Sequence, residues 1–341
     1  MDLSLPSAMR AETGVALAVR APGRLHLGFL DPSATLGRRF GSIGLVIDGF
    51  ETELEIAAAS ASDLLADTPA AQAELDRAAA CLHTLREHTG LRQPLRLRLI
   101  RTLPAHAGFG SGTQLALAIG RAFVRWHRLE VSTPTLAAWL GRGLRSGVGI
   151  AGFDQGGLLV DGGPAADGAP AALLSRVTLP EAWRVVIVQD ARRQGLSGGD
   201  ERHAIANLPP LPQAQAADIC HQVLMRVLPG AAGGEFVPFA AGINQLQDLL
   251  GAHFAPAQGG TPWTSAAVGD LMHWIRGHAP GGAATGQSSW GPTGFAIVPS
   301  QPAAQALVDA AHAAGALDPA LAVRIVAARN RGATVADARV R

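Results

Sequence analysis

The chain has 341 residues, 48% of them hydrophobic, and a formal net charge of +1. That is ample for a packed core, and more in keeping with two domains than one at roughly 150 residues each. The near-neutral charge gives no support for a nucleic-acid partner, and no stretch reaches the length of a transmembrane helix. All 28 basic residues are arginines. A Schiff base to lysine, a Walker-type lysine and a lysine general base are therefore excluded, and any phosphate or carboxylate clamp must be arginine. Met1-Asp2 opens the sequence without a basic leader, and Cys81 and Cys220 form no C-x-x-C pair, so a reduced, cytoplasmic setting is expected.

In chain order, Val15–Val19 and Leu25–Leu30 read as strands around Ala21-Pro-Gly-Arg24. Arg24, His26 and Asp31 are polar groups within this apolar stretch. A glycine-rich loop with Arg38 and Arg39 follows, then a strand pair over Leu45–Ile56. Ala70–His88 reads as a surface helix. His83 and His88 are off the spacing that would set two metal ligands on one face. Leu95–Arg101 alternates like a strand.

The most informative stretch comes next. Pro104 to Gln114 holds Gly108, Gly110, Ser111, Gly112 and Thr113, and runs into an amphipathic helix with Leu115, Ile119, Ala122, Phe123 and Trp126 at three- and four-residue spacing. Strand, glycine loop and helix together build an anion site. The glycines let backbone approach the ligand, free N–H groups point outward, and the helix dipole adds about half a positive charge. The plainer alternative is a turn that only caps a helix.

Thr133 to Gly141 reads as a short helix with Pro134 in its first turn. A second glycine-dense stretch, 141–157, carries Arg142, Arg145 and Ser146, placed for anion binding. Asp154 and Asp161 nearby are candidate magnesium ligands, and tight turns before an edge strand are the alternative. Residues 162–178 are rich in Gly, Pro and Ala and read as a linker. Beyond it are a strand at 183–189, a polar loop at 190–201, helices near 214–228, 235–252 and 264–277, and a fourth glycine loop at 286–294. A strand at 295–298, a helix at 301–314 and a strand at 321–327 close the pattern.

Three of these stretches together resemble the GHMP kinase superfamily: Ala21-Pro-Gly-Arg24, Pro104 to Thr113, and Gly286 to Gly294. The resemblance implies an α/β (α+β) fold: an N-terminal α/β domain over 1–165 with a left-handed crossover, and a ferredoxin-like C-terminal domain over 179–341. Within the superfamily the chain is similar to the β-ribofuranosylaminobenzene (hydroxybenzene) 5′-phosphate synthase branch of tetrahydromethanopterin biosynthesis. The match runs through Arg24-Leu-His-Leu, Gly37-Arg38 with Gly41 to Gly44, Gly108 to Gln114, Gly141-Arg-Gly with Ser146 to Gly149, and Gln287 to Pro292. Many superfamily kinases carry Ser-Gly-x-Asp, whose Asp helps activate the attacking hydroxyl. Here that position is Gly149, so a candidate base is missing while the phosphate cradle remains.

The resemblance implies a phosphoribosyltransferase. Phosphoribosyl pyrophosphate would bind on Gly108, Gly110, Ser111, Gly112, Thr113 and Gln114, with Arg142 and Ser146 nearby. 4-Aminobenzoate or 4-hydroxybenzoate would attack C1 of the ribose, releasing carbon dioxide and pyrophosphate. Arg24 and His26 are the expected catalytic residues, with Ser288, Ser289 and Trp290 lining the aromatic pocket. Mg²⁺ is the expected cofactor, held mainly by substrate with Asp154 and Asp161. A homodimer with no membrane or nucleic-acid partner is expected by analogy. The alternatives are an ATP-dependent small-molecule kinase of the same superfamily and a non-catalytic phosphate- or nucleotide-binding protein.

Overall fold

The computed structural model describes residues 14–165, 167–195 and 198–339. The first two strands are long. β1 (Val15–Asp31) and β2 (Phe40–Ala58) pair antiparallel along nearly their whole length, so the expected breaks within each are bends rather than ends. The first sheet is completed by β3 (Asp63–Ala66), β4 (Leu95–Arg101), β5 (Leu158–Asp161), β6 (Leu173–Val177) and β11 (Thr334–Arg339). β2 pairs with β4 at one end and with β5 at the other, so the sheet forks around it.

Helices α1 (Pro69–Gln72) and α2 (Leu75–Thr89) precede β4, and α3 (Ser111–Trp126) follows it. The apolar stripe of α3 packs with α2 on one face of the sheet, in a core that includes Leu54, Leu97, Leu115 and Phe123. α4 (Thr133–Trp139) starts at Ser132, whose hydroxyl accepts from Thr135 N, with Pro134 in the first turn. α5 (Val148–Gln155) forms the second half of the second glycine stretch, and residues 141–147 before it are turns and bends.

The second sheet holds β7 (Arg184–Asp190), β8 (Ala284–Gln287), β9 (Thr293–Val298) and β10 (Leu321–Ala327) in the order β10-β7-β9-β8, every neighbour antiparallel. Counted within this unit the order is 4-1-3-2, the ferredoxin-like arrangement expected. Its helices are α6 (Gly198–Asn207), α7 (Gln213–Gln222), α8 (Leu228–Gly233), α9 (Phe236–Phe254), α10 (Ala266–His278) and α11 (Gln301–Ala313). The single helix expected over 214–228 is interrupted by a π turn at Val223–Val227, next to Pro229, which lacks the N–H that a regular ladder needs.

One core runs from the first sheet through α7 and α9 to the second sheet, joining Leu25, Leu27 and Ile43 to Phe239, Ile243, Ile187 and Phe295. Two short strands depart from the expected organisation. β6 falls in the predicted linker and pairs with β5, and β11, the last strand of the 179–341 stretch, returns to pair with β1. Both lie at sheet edges and are half exposed, so neither carries the apolar run by which a buried strand is recognised.

Candidate active site

The glycine loop between β4 and α3 has the geometry of an anion cradle. Gly110 precedes the helix in the left-handed region at φ 74°, and a Cβ there would fall 3.1 Å from Arg24 Cζ. Only glycine tolerates both the backbone and the close approach. Ser111 and Gly112 then begin α3, their N–H groups among those with no intrahelical partner.

Arg24 and His26 are two residues apart on β1, so they face the same side of the sheet. Register shifts lie between Pro22 and Arg24 and between His26 and Gly28. Such irregularities re-aim side chains locally, and here they bracket the two residues. Arg24 Nη1 donates to Gly108 O at 3.0 Å, and Arg24 N to Phe109 O at 3.1 Å, tying β1 to the phosphate loop. Ser288 adds a third tie: its hydroxyl accepts from His26 N at 3.0 Å and donates to Gly108 O at 2.7 Å. Ser289 N donates to His26 O at 3.1 Å. The fourth glycine loop thus clamps the strand and the phosphate loop together.

His26 is 4% exposed, and its Nε2 has no hydrogen-bond partner among the described residues. Burial, then the charges of Arg24 and Arg145, hold its pKa well below 6.5. The imidazole is neutral at neutral pH, with one buried nitrogen open to a ligand.

These groups line a cleft of about 740 Å³. Arg24, Arg39, Arg77, Arg142 and Arg145 all reach it, and among the described residues no Asp or Glu lines it. Two of the guanidiniums converge on the loop: a Cβ at Gly112 would lie 3.5 Å from Arg142 Nη1 and 3.8 Å from Arg77 Nη1. Opposite them, a Cβ at Gly149 would lie 3.3 Å from Thr113 Cγ2 and 3.9 Å from Arg24 Nε. The position where many superfamily kinases carry Asp therefore does face the cradle, and it is empty of side chain.

Of the residues singled out from sequence, the fold brings Arg24, His26, Gly108, Gly110, Ser111, Gly112, Thr113, Arg142, Ser146, Ser289 and Trp290 to this cleft. Four do not line it. Gln114 is buried and donates from Nε2 to Gly149 O at 2.9 Å, supporting the opposite wall. Ser288 is buried as the clamp just described. Asp154 faces away, accepting from Thr133 Oγ1 at 2.6 Å.

Asp161 is also buried. It accepts from Gly147 N at 2.8 Å, Val148 N at 3.1 Å and Gly163 N at 2.8 Å, and from the Ser42 hydroxyl. It anchors the start of α5, and burial raises its pKa against the pull of these bonds. Arg77 was missed because its helix reads as an ordinary charged surface helix; no local signal marks it.

Magnesium needs several oxygen ligands. The two carboxylates expected to hold it lie outside the cleft, and no group of three or more His, Cys, Asp or Glu side chains gathers for a metal among the described residues. Among the described residues, then, no carboxylate lines the cleft to share a magnesium ion with a bound substrate.

The GHMP kinases N terminal domain model matches residues 76–159. A homoserine kinase from Cytophaga hutchinsonii superposes with a TM-score of 0.64 at 16% identity, covering 94% of this chain and 97% of that one. Mevalonate diphosphate decarboxylase from Staphylococcus aureus does so at 0.66 and 15%, covering 94% and 98%. The fold is that of the GHMP kinases.

Sequence narrows the class. The chain is 31% identical over 298 residues to the beta-ribofuranosylphenol 5′-phosphate synthase of Archaeoglobus fulgidus, covering 83% of this chain and 88% of that protein. It is 27% identical over 341 residues to the enzyme of the same name from Methanothermobacter thermautotrophicus, covering 94% and 98%. The chain belongs to the beta-ribofuranosylphenol 5′-phosphate synthase family. No helix among the described residues is long and apolar enough to cross a membrane.

Proposed function

We propose that the chain is a pentosyltransferase that forms a C-riboside from phosphoribosyl pyrophosphate and 4-hydroxybenzoate or 4-aminobenzoate, an early step of tetrahydromethanopterin biosynthesis. The observation that carries this reading is the cleft itself: a glycine-loop cradle and five guanidiniums, with no carboxylate among the described residues that line it. It suits a substrate with two phosphate-bearing ends and a second substrate that is also an anion.

The loop N–H groups, the Ser111 and Thr113 hydroxyls, Arg77 and Arg142 bind a phosphate group at the start of α3. The arginines neutralise the departing pyrophosphate. The C1–O bond breaks with its electron pair on pyrophosphate. The ring carbon that bears the carboxylate gives a π pair to C1, and the C–C bond to the carboxylate then returns its pair to the ring as carbon dioxide leaves. Arg24 holds the carboxylate at the cradle. Neutral His26 accepts a hydrogen bond, or transiently a proton, from the aromatic substrate through Nε2.

A kinase would need a base for an attacking alcohol, and Gly149 supplies none. Free, unpaired Cys81 and Cys220 accord with a cytoplasmic setting, and we retain the homodimer as part of this reading. The test is release of labelled carbon dioxide from carboxyl-labelled benzoate with phosphoribosyl pyrophosphate. No release from either benzoate by folded protein overturns the reading.

A further inference from the structure

A second, smaller cavity of about 40 Å³ adjoins the arginine cleft. His26, Phe29, Ser289 and Trp290 line both and so form the border between them. The residues that line only the smaller one carry no charge: Leu250 and Phe254 are apolar, and Gln258 and Gln287 are neutral amides. Aromatic rings gather at the border, with Phe254 and Trp290 centroids 4.8 Å apart and His26 and Phe29 centroids 4.6 Å apart.

We infer that this uncharged cavity behind His26 and Trp290 receives the aromatic acid by its 4-substituent, leaving the carboxylate-bearing carbon in the arginine cleft. The inference rests on the transferase reading above and adds to it where the ring sits and which way it points. A carboxylate buried with no cation loses its hydration uncompensated, and all five cleft arginines lie on the other side of the border. The ring therefore enters with its neutral end. The chemistry selects the same orientation, because the carbon that attacks the ribose is the one that bears the carboxylate.

A volume of about 40 Å³ is well above the roughly 10–15 Å³ needed to admit one water. It holds a hydroxyl or amino group and the adjoining ring edge, while the rest of the ring rests on His26, Phe29 and Trp290. The amides in the cavity are held in place. Gln287 Nε2 donates to Gln258 Oε1 and to Ser289 O, both at 2.9 Å, and Gln287 Oε1 accepts from Thr264 N at 2.7 Å. A carbonyl oxygen has two lone pairs, so Gln287 Oε1 can also accept the second hydrogen of a 4-amino group, the first going to His26 Nε2. Gln258 Nε2 makes a long 3.4 Å bond to Pro262 O and is the neighbouring donor. Hydrogen-bond acceptance at the 4-substituent raises electron density at the carbon opposite it, which is the attacking carbon.

Isothermal titration tests this with two arms. In the first, wild-type protein is titrated with 4-hydroxybenzoate and with benzene-1,4-dicarboxylate. The second carboxylate meets no cation in the cavity, so it should bind at least about thirtyfold more weakly. In the second, Gln258→Leu should weaken 4-hydroxybenzoate about tenfold while phosphoribosyl pyrophosphate binding stays within about twofold. Equal binding of the two acids, or unchanged 4-hydroxybenzoate binding in Gln258→Leu, overturns the cavity assignment; labelled carbon dioxide would still be released, so the reaction assignment would survive. Wild-type protein that binds neither benzoate and releases no carbon dioxide overturns both.

Discussion

Gly149 stands over Arg24: a Cβ on residue 149 would lie 3.9 Å from Arg24 Nε, with Thr113 Cγ2 at 3.3 Å. The gap left by the absent side chain is where the Arg24 guanidinium meets the phosphate cradle. Gly149 is not at positive φ, so other residues fit its backbone. Gly149→Asp should therefore fold, and its carboxylate should occupy Arg24 as a charge-assisted pair. We expect carbon dioxide release to fall about 10²-fold with unchanged far-ultraviolet dichroism. Wild-type turnover in this variant would separate Arg24 from the benzoate.

Arg142 and Arg77 approach the same residue, Gly112, from different elements. Removing one leaves its partner, so the loss should be graded rather than complete. Arg142→Ala should raise the KM for phosphoribosyl pyrophosphate about 10- to 100-fold, the worth of a hydrogen bond to a charged group. The KM for the benzoate should move far less. Steady-state kinetics with each substrate varied in turn reads the difference.

The depressed pKa of His26 has a definite sign in the pH profile. Burial and its two arginine neighbours keep it neutral down to well below 6.5. Carbon dioxide release should stay flat from about pH 8 through about pH 6.5, the ordinary histidine value, and fall only at more acid pH. The same shift costs stability in acid. Between the folded pKa and 6.5 the unfolded chain binds the proton more readily, so stability rises with pH through that window and levels off above it. His26→Gln should remove the acid limb of the rate and flatten this part of the stability profile, measured by denaturant midpoints.

Asp161 and Asp154 give opposite predictions although both were candidate metal ligands. Asp161 accepts from three backbone N–H groups, and Asn has only one acceptor oxygen to offer them. Asp161→Asn should destabilise the fold by about 2–3 kcal/mol, seen in thermal or denaturant unfolding. Asp154→Asn lies away from the cleft and should leave turnover, and its response to added magnesium, unchanged. A lost magnesium response in Asp154→Asn would return that residue to the site.

The sequence by itself determined the cradle, the succession of elements around it and the family. Glycines at 108 and 110, an alternating strand before them and a helical stripe after them are signals contained within a few residues, because backbone freedom and amphipathic period are local properties. The missing carboxylate at 149 was legible for the same reason. Only the tertiary structure decided which side chains share the cleft. Arg77 arrives from a helix that reads as ordinary surface, and Ser288 reaches His26 across 262 residues of sequence. Asp161, a plausible ligand on paper, turns inward, where its oxygens accept from backbone N–H groups at the start of α5. Edge strands β6 and β11 also escaped notice, since an edge needs a neighbour's backbone and little apolar pattern of its own. Convergence of this kind depends on how sheets and helices pack, and packing joins residues whose separation along the chain carries no trace of it.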